Sequence, residues 1–144
     1  MIEVYTWPTP NGHKIHIMLE ETGLEHQIRP VNIRTGEQFR SDFLRISPNN
    51  KIPAIVDRDG PDGKPISVFE SGAILLYLAR KSGKLMPHHL AGEAQVLRWS
   101  IAALSSVEVP VLAMWFEGPG APEGGFFSIM PCPVAGLFGC AVGA

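Results

Sequence analysis

The chain has 144 residues, 45% of them hydrophobic, with 12 basic against 14 acidic side chains and a formal net charge of −2. That length and composition fit one globular domain with its own core and argue against a disordered chain. Near-balanced charge argues against a nucleic-acid partner held by a basic field, which leaves a small molecule or another protein.

Met1-Ile2-Glu3-Val4 lacks the basic-then-apolar pattern of a secretory leader. No uninterrupted apolar run approaches the roughly 18–20 residues of a bilayer span, so no membrane partner is expected. Cys132 and Cys140 have neither the number for a disulfide framework nor the spacing of a redox pair or zinc site. A reducing cytoplasm is the expected compartment.

In chain order, β-formers in alternation predict a strand over residues 2–7, ended by Trp7-Pro8-Thr9-Pro10-Asn11-Gly12. Thr9 before Pro10 predicts a helix start, with Asn11 as the rival cap. Ile15, Met18, Leu19 and Thr22 share the apolar face, and Gly23 supplies the stop. Residues 27–33 read as a second strand, marked as an edge by Pro30. The strand–helix–strand unit is expected to be parallel and right-handed. A short helix follows over 37–46, with Phe39, Phe43 and Leu44 on one face.

Residues 47–53 form a turn-rich loop before a strand at 54–57, and Arg58 to Gly63 has the chemistry of a hairpin turn into a strand at 65–69. Ser71 predicts the N-cap of an apolar helix that ends on Arg80, Lys81 and Gly83. The expected organisation is a compact α/β sheet domain over 1–83, βαβα then ββα. A linker and one helix follow over 84–104, then a Gly/Pro-rich apolar tail over 105–144 in which helical periodicity fails.

Three constellations carry chemistry. Pro53, directly before a β-run, marks either an ordinary edge-strand start or a cis peptide. A cis bond there turns the backbone N–H and C=O of Ile52 outward, where they can pair antiparallel with a short peptide ligand. Glu70-Ser71 is either a plain cap or a seat for an amino-acid head, with the helix N-terminus taking the carboxylate and Glu70 the ammonium. Thr9 and Asn11 suffice as turn and cap; facing a ligand sulfur, they would donate hydrogen bonds to a thiolate. No cysteine occurs in that loop, so any thiol chemistry must use the thiol of a bound ligand. His13 and His16 supply at most two metal ligands, short of a site, so no metal is expected. His88-His89 reads as solvated linker and Trp99 as packing.

Four motifs in one order, Thr9-Pro10-Asn11-Gly12-His13-Lys14, Gly36-Glu37-Gln38-Phe39, Ile46-Ser47-Pro48-Asn49-Asn50-Lys51-Ile52-Pro53-Ala54 and Phe69-Glu70-Ser71-Gly72-Ala73, resemble the N-terminal domain of Nu-class glutathione transferases. That branch includes bacterial disulfide-bond reductases, and the resemblance runs from about Met1 to Leu104. It implies a thioredoxin-like α/β fold, a cis bond at Pro53, and glutathione as cosubstrate. Ile52 would offer its backbone to the cysteinyl part, Glu70 and Ser71 would hold the γ-glutamyl head, and Gln38 and Lys51 would reach the glycyl end. Thr9 and Asn11 would sit by the sulfur, stabilising a thiolate that attacks a disulfide or an electrophilic small molecule. Tyr5, inside the first strand, reads as core rather than the thiol-activating tyrosine of other classes.

The family continues into a larger all-helical domain and is usually dimeric, so a homodimer is implied. Only one helix of that domain is legible here, and residues 105–144 do not match. They read as an out-of-frame or spliced ending, an irregular cap, or an apolar interaction segment through Trp115-Phe116, Phe126-Phe127 and Leu137-Phe138. The alternatives to an enzyme are a non-catalytic binding module of the same fold and an inactive truncated transferase.

Overall fold

A computed structural model of the chain describes residues 1–117, with side chains through Met114. Readings that rest on Cys132, Cys140, Phe126-Phe127, Leu137-Phe138 and the side chains of Trp115-Phe116 lie outside the described residues. The chain divides into a first unit, Met1–Leu97, and a second that starts at Arg98.

The first unit is built from β1 (Ile2–Thr6), α1 (Pro10–Thr22), β2 (His26–Pro30), α2 (Ser41–Leu44), β3 (Ala54–Asp57), β4 (Ile66–Phe69), α3 (Ser71–Ser82) and most of α4 (Leu90–Ala102). The strands form one sheet in the order β2-β1-β3-β4. β1 and β2 are parallel, whereas β3 pairs antiparallel with both β1 and β4. This is the α/β arrangement expected, with β2 and its terminal Pro30 at an edge.

Local chemistry sets the ends of α1. Thr9 is extended and its side chain accepts from the Gly12 N–H at 3.1 Å, Pro10 opens the helix, and Gly23 closes it at φ 71 with its N–H on the Leu19 carbonyl. Strand alternation then sorts the core. Ile2, Val4 and Ile55 meet Ile15, Met18 and Leu19 of α1 and Ile74, Leu78 and Ala79 of α3. On the other face Val31, Phe43 and Ala54 form a smaller cluster, against which Tyr5, Ile46 and Ile52 pack. Each fully buried Ile or Leu contributes about 1.5–3 kcal/mol.

Several boundaries differ from the sequence reading. The helix predicted over 37–46 is a single 3-10 turn, Glu37–Phe39, and the four-residue α2, because Arg40 between them is extended. Phe43 alone of the predicted face is buried, and Phe39 is half exposed. Ser71 is not the N-cap of α3: that position is Glu70, and Ser71 is the first helical residue. His89 is more than a solvated linker residue, since its ring accepts from the Gly92 N–H at 3.0 Å and caps α4.

Where periodicity was expected to fail, the backbone stays helical, through a π turn (Ala103–Val107) into α5 (Glu108–Glu117). Pro110 follows directly on the π turn, where the i→i−4 ladder is already interrupted: the Glu108 N–H bonds to the Ala103 carbonyl, five residues back. Leu90–Met114 is thereby long and apolar enough, by length and composition, to cross a membrane. The sequence expectation rested on uninterrupted runs, and Glu93, Gln95, Arg98 and Glu108 interrupt this one; helices of soluble proteins meet the same length and composition criterion. Trp99, expected to pack, is exposed, with the Arg98 guanidinium 5.3 Å from its ring centre.

Candidate functional site

Strand register gathers the predicted residues at one end of the sheet. Tyr5 pairs with Ala54 and Ala54 with Phe69, so the loop after β1, the loop before β3 and the turn after β4 emerge side by side. β2 ends there too, since Thr6 pairs with Pro30 and its carbonyl accepts from the Val31 N–H at 2.9 Å. From these four points hang the start of α1, Lys51-Ile52-Pro53, Glu70-Ser71, and the connection that carries Gln38. The Ile52–Pro53 bond is cis.

Asn11, the second residue of α1, is the hub. Its Oδ1 accepts from the Lys14 ammonium at 2.7 Å and from the Ser71 hydroxyl at 3.2 Å, a bond that spans 60 residues of sequence. Two donors on one oxygen fix which end of the amide is which and leave the NH2 to donate elsewhere. Thr9, spent as an acceptor on Gly12, keeps its hydroxyl proton for another partner. Gly12 is required by close approach, because a Cβ there would lie 2.5 Å from the Trp7 carbonyl oxygen and 2.6 Å from Thr6 Oγ1.

Glu70 holds a left-handed backbone (φ 69, ψ 118) costly for a side-chain-bearing residue, about 1–3 kcal/mol. Its carboxylate accepts from Asn49 Nδ2 at 3.0 Å. No side-chain hydrogen bond caps α3, so the first N–H groups of the helix, Ser71 onward, present an anion seat beside that carboxylate. Ser71 itself is buried.

Ile52 is half-buried against the smaller cluster and Pro53 is buried. The exposed Lys51 has its carbonyl accepting from the buried Ser47 hydroxyl at 2.9 Å. Gln38 stands apart from the Asn11 network: its Nε2 donates to the Ile33 carbonyl at 3.4 Å, and its Oε1 is buried without a hydrogen-bond partner. Tyr5 packs against Phe43, ring centres 6.2 Å apart, on the opposite face of the sheet from α1. Burial pushes its hydroxyl above the ordinary tyrosine value, the wrong direction for a thiol-activating group. His13 and His16 meet edge to face at 5.8 Å, and burial followed by the neighbouring His13 and His26 lowers the basicity of His16.

Sequence reading did not single out Lys14 or Asn49, yet both hold a predicted site residue. Lys14 had a signal, its i+3 spacing from Asn11 on a helix. Asn49 had none beyond lying in the Pro53 motif.

The chemistry on offer at this sheet end is an amide and a hydroxyl able to donate, an open helix N-terminus and an adjacent carboxylate. The profile of the glutathione S-transferase N-terminal domain matches residues 1–80. The disulfide-bond oxidoreductase YfcG of Escherichia coli K12 is 56% identical over 100 residues, which cover 69% of this chain and 46% of that protein. For YghU of the same organism the identity is 45% over 104 residues, covering 68% and 35%. Among solved structures, a glutathione transferase family member from Pseudomonas fluorescens with two glutathione bound superposes at TM-score 0.76 and 41% identity, over 83% of this chain and 53% of that one. A glutathione transferase from Pseudomonas putida with one glutathione disulfide bound per subunit gives 0.75 and 41%, over 80% and 51%. The chain thus spans about half the length, or less, of the relatives it matches, and the profile's residues 1–80 hold the whole sheet and every residue of the site. By that match and that geometry, the chain belongs to the glutathione S-transferase family through its N-terminal domain.

Proposed function

We propose that the chain binds glutathione at this sheet end and uses its thiolate to reduce a disulfide or attack an electrophilic small molecule. The observation that carries the reading is the Asn11–Ser71 hydrogen bond, which sets a thiolate donor directly beside a seat for an amino-acid head. In this reading Glu70 takes the ammonium of the γ-glutamyl group, and the α3 N-terminus with Ser71 takes its carboxylate. Ile52, held by the cis bond to Pro53, pairs with the cysteinyl backbone, and Gln38 and Lys51 reach the glycyl carboxylate. Thr9 and Asn11 donate to the sulfur, lowering the thiol below its ordinary value near 8.5. The thiolate then attacks one sulfur of the disulfide, giving a mixed disulfide and releasing the other sulfur as a thiol. The names and bound ligands of the bacterial relatives support this chemistry.

The same reading assigns residues 1–83 to glutathione binding and 84–104 to a linker and the first helix of a helical domain; the expected start of a tail at 105 falls inside the π turn Ala103–Val107, so helix carries past it. It gives the protein a cytoplasmic place and a homodimeric assembly. Calorimetric titration with reduced glutathione beside a thiol-dependent turnover assay tests it. Asn11→Ala is expected to slow turnover about 10- to 100-fold while weakening binding only a few-fold, since it removes a donor to developing charge. Equal turnover by the variant would sink the assignment. A non-catalytic binding module is the second reading, since the fold alone does not fix a function; saturable binding with no turnover would select it.

A further inference from the structure

Lys14 contacts Asn11 and no ligand has been assigned to it. From its geometry we infer that Lys14 is a positioning residue for thiol activation, holding the Asn11 amide with its NH2 toward the sulfur while glutathione is bound. The inference rests on the glutathione-thiolate reading above and adds a residue to it.

Asn11 Oδ1 has two donors, the Lys14 ammonium at 2.7 Å and the Ser71 hydroxyl at 3.2 Å. Ser71 has a single hydroxyl proton, whereas the ammonium has three. A ligand carboxylate seated at the start of α3 competes for that one proton, and when it wins, Asn11 loses the Ser71 bond. Lys14 is then the donor that keeps the amide from turning its oxygen to the sulfur, which would set a carbonyl lone pair against a thiolate. Ligand binding therefore makes Lys14 matter more, because the other restraint is withdrawn at that moment.

Helix electrostatics point the same way. Lys14 folds its ammonium back to the second residue of α1, at the helix end whose macrodipole already favours negative charge. A cation at a positive helix end does not stabilise the helix, so its seat there is explained by the amide oxygen it holds rather than by the macrodipole. The ionisation itself is simple: the S–H bond of bound glutathione gives its proton to water, and the resulting sulfur anion accepts from Asn11 Nδ2–H.

The test is the pH titration of bound glutathione thiolate by ultraviolet absorbance on the full chain, with the amide spectrum of each variant checked for dispersion. Lys14→Met is expected to raise the bound thiol's pKa by about one unit, roughly a tenfold loss of thiolate at neutral pH. Lys14→Arg keeps a cationic donor and should recover most of the loss. In an Asn11→Ala background, Lys14→Met should add little, since its effect runs through that amide. An unchanged thiol pKa in Lys14→Met, with Asn11→Ala raising it, would overturn the positioning role. So would an equal rise in the Asn11→Ala background, which would mark a direct charge effect. Wild-type protein that binds no glutathione would instead remove the underlying reading, and this inference with it.

Discussion

The two ends of α3 carry polar clusters built to opposite specifications. At the later end, Tyr77 and Lys81 converge on Asp57, which is fully buried: the hydroxyl donates at 2.5 Å, the ammonium lies at 2.8 Å, and the Asp59 N–H donates at 3.0 Å. Burial alone would raise the Asp57 carboxyl, but those hydrogen bonds outweigh it and hold the group below the ordinary carboxylate range. Burial and the adjacent carboxylate push the Tyr77 hydroxyl well above its usual value. At the early end, Ser71 and Glu70 are tied to Asn11 and Asn49, yet an amide NH2, a threonine hydroxyl and the helix N–H groups still have donor capacity, and Glu70 sits in strained backbone. A closed, satisfied network rigidifies the fold. A network with spare donors and local strain is the form binding takes. One helix therefore ties the sheet together with its second half and, in the proposed function, meets glutathione with its first turn.

The contrast is testable from the largest effect downward. Lys81→Met strands the buried Asp57 charge and should cost about 3 kcal/mol in urea unfolding, with little change in glutathione affinity. A loss below about 1 kcal/mol, within the range of surface pairs, would mean the cluster is not the stabilising end.

Acid probes the same end. Glu3, buried between Arg29 at 3.1 Å and Arg58 at 2.6 Å, is also lowered, burial opposing and the two guanidinium hydrogen bonds prevailing. A carboxyl lowered in the folded state stabilises above its unfolded value, near 4, and that contribution is lost as pH falls through the folded value. Urea midpoints should therefore drop steeply below about pH 4 and more gently in Asp57→Asn. Identical pH slopes for the two proteins would contradict the assignment.

Gly12→Ala asks whether the ligand end is packed as tightly as it is polar. Its Cβ would meet the Trp7 carbonyl oxygen at 2.5 Å, so a cost of about 1–3 kcal/mol and weakened glutathione binding are expected together. Wild-type stability would show that the start of α1 can shift. Glu70→Gly should separate the two ends by sign. Relief of the φ 69 backbone offsets the added freedom of the unfolded chain, leaving stability unchanged or raised by up to about 1 kcal/mol. Glutathione affinity should fall at least several-fold. A variant less stable than wild type would argue that Glu70 serves the fold.

Much of the fold was legible because its signals are local. Thr9-Pro10 and Gly23 bound α1 by short-range chemistry, and alternation in Ile2–Thr6 sorts the two faces of the sheet. The site residues were legible as a set through their motifs, but their mutual contacts were not. Ser71 read as a cap because hydroxyls usually cap; its partner Asn11 lies 60 positions away, and Asn49 reaches Glu70 across 21. Helix beyond Ser105 was missed because Pro110 reads as a breaker, and the π turn just before it leaves no mark in the periodicity. Phe39 read as core because periodicity ran it into one helix with Phe43, whereas extended Arg40 separates the two.

The most direct test is a two-dimensional amide NMR titration of the full chain with reduced glutathione. Saturable shifts at Asn11, Ile52 and Ser71, with Asp57 and Lys81 unmoved, are the expected result. A dispersed spectrum indifferent to millimolar glutathione, or one that moves as much at Asp57 and Lys81 as at Asn11, would contradict the division of α3 into a binding end and a stabilising end.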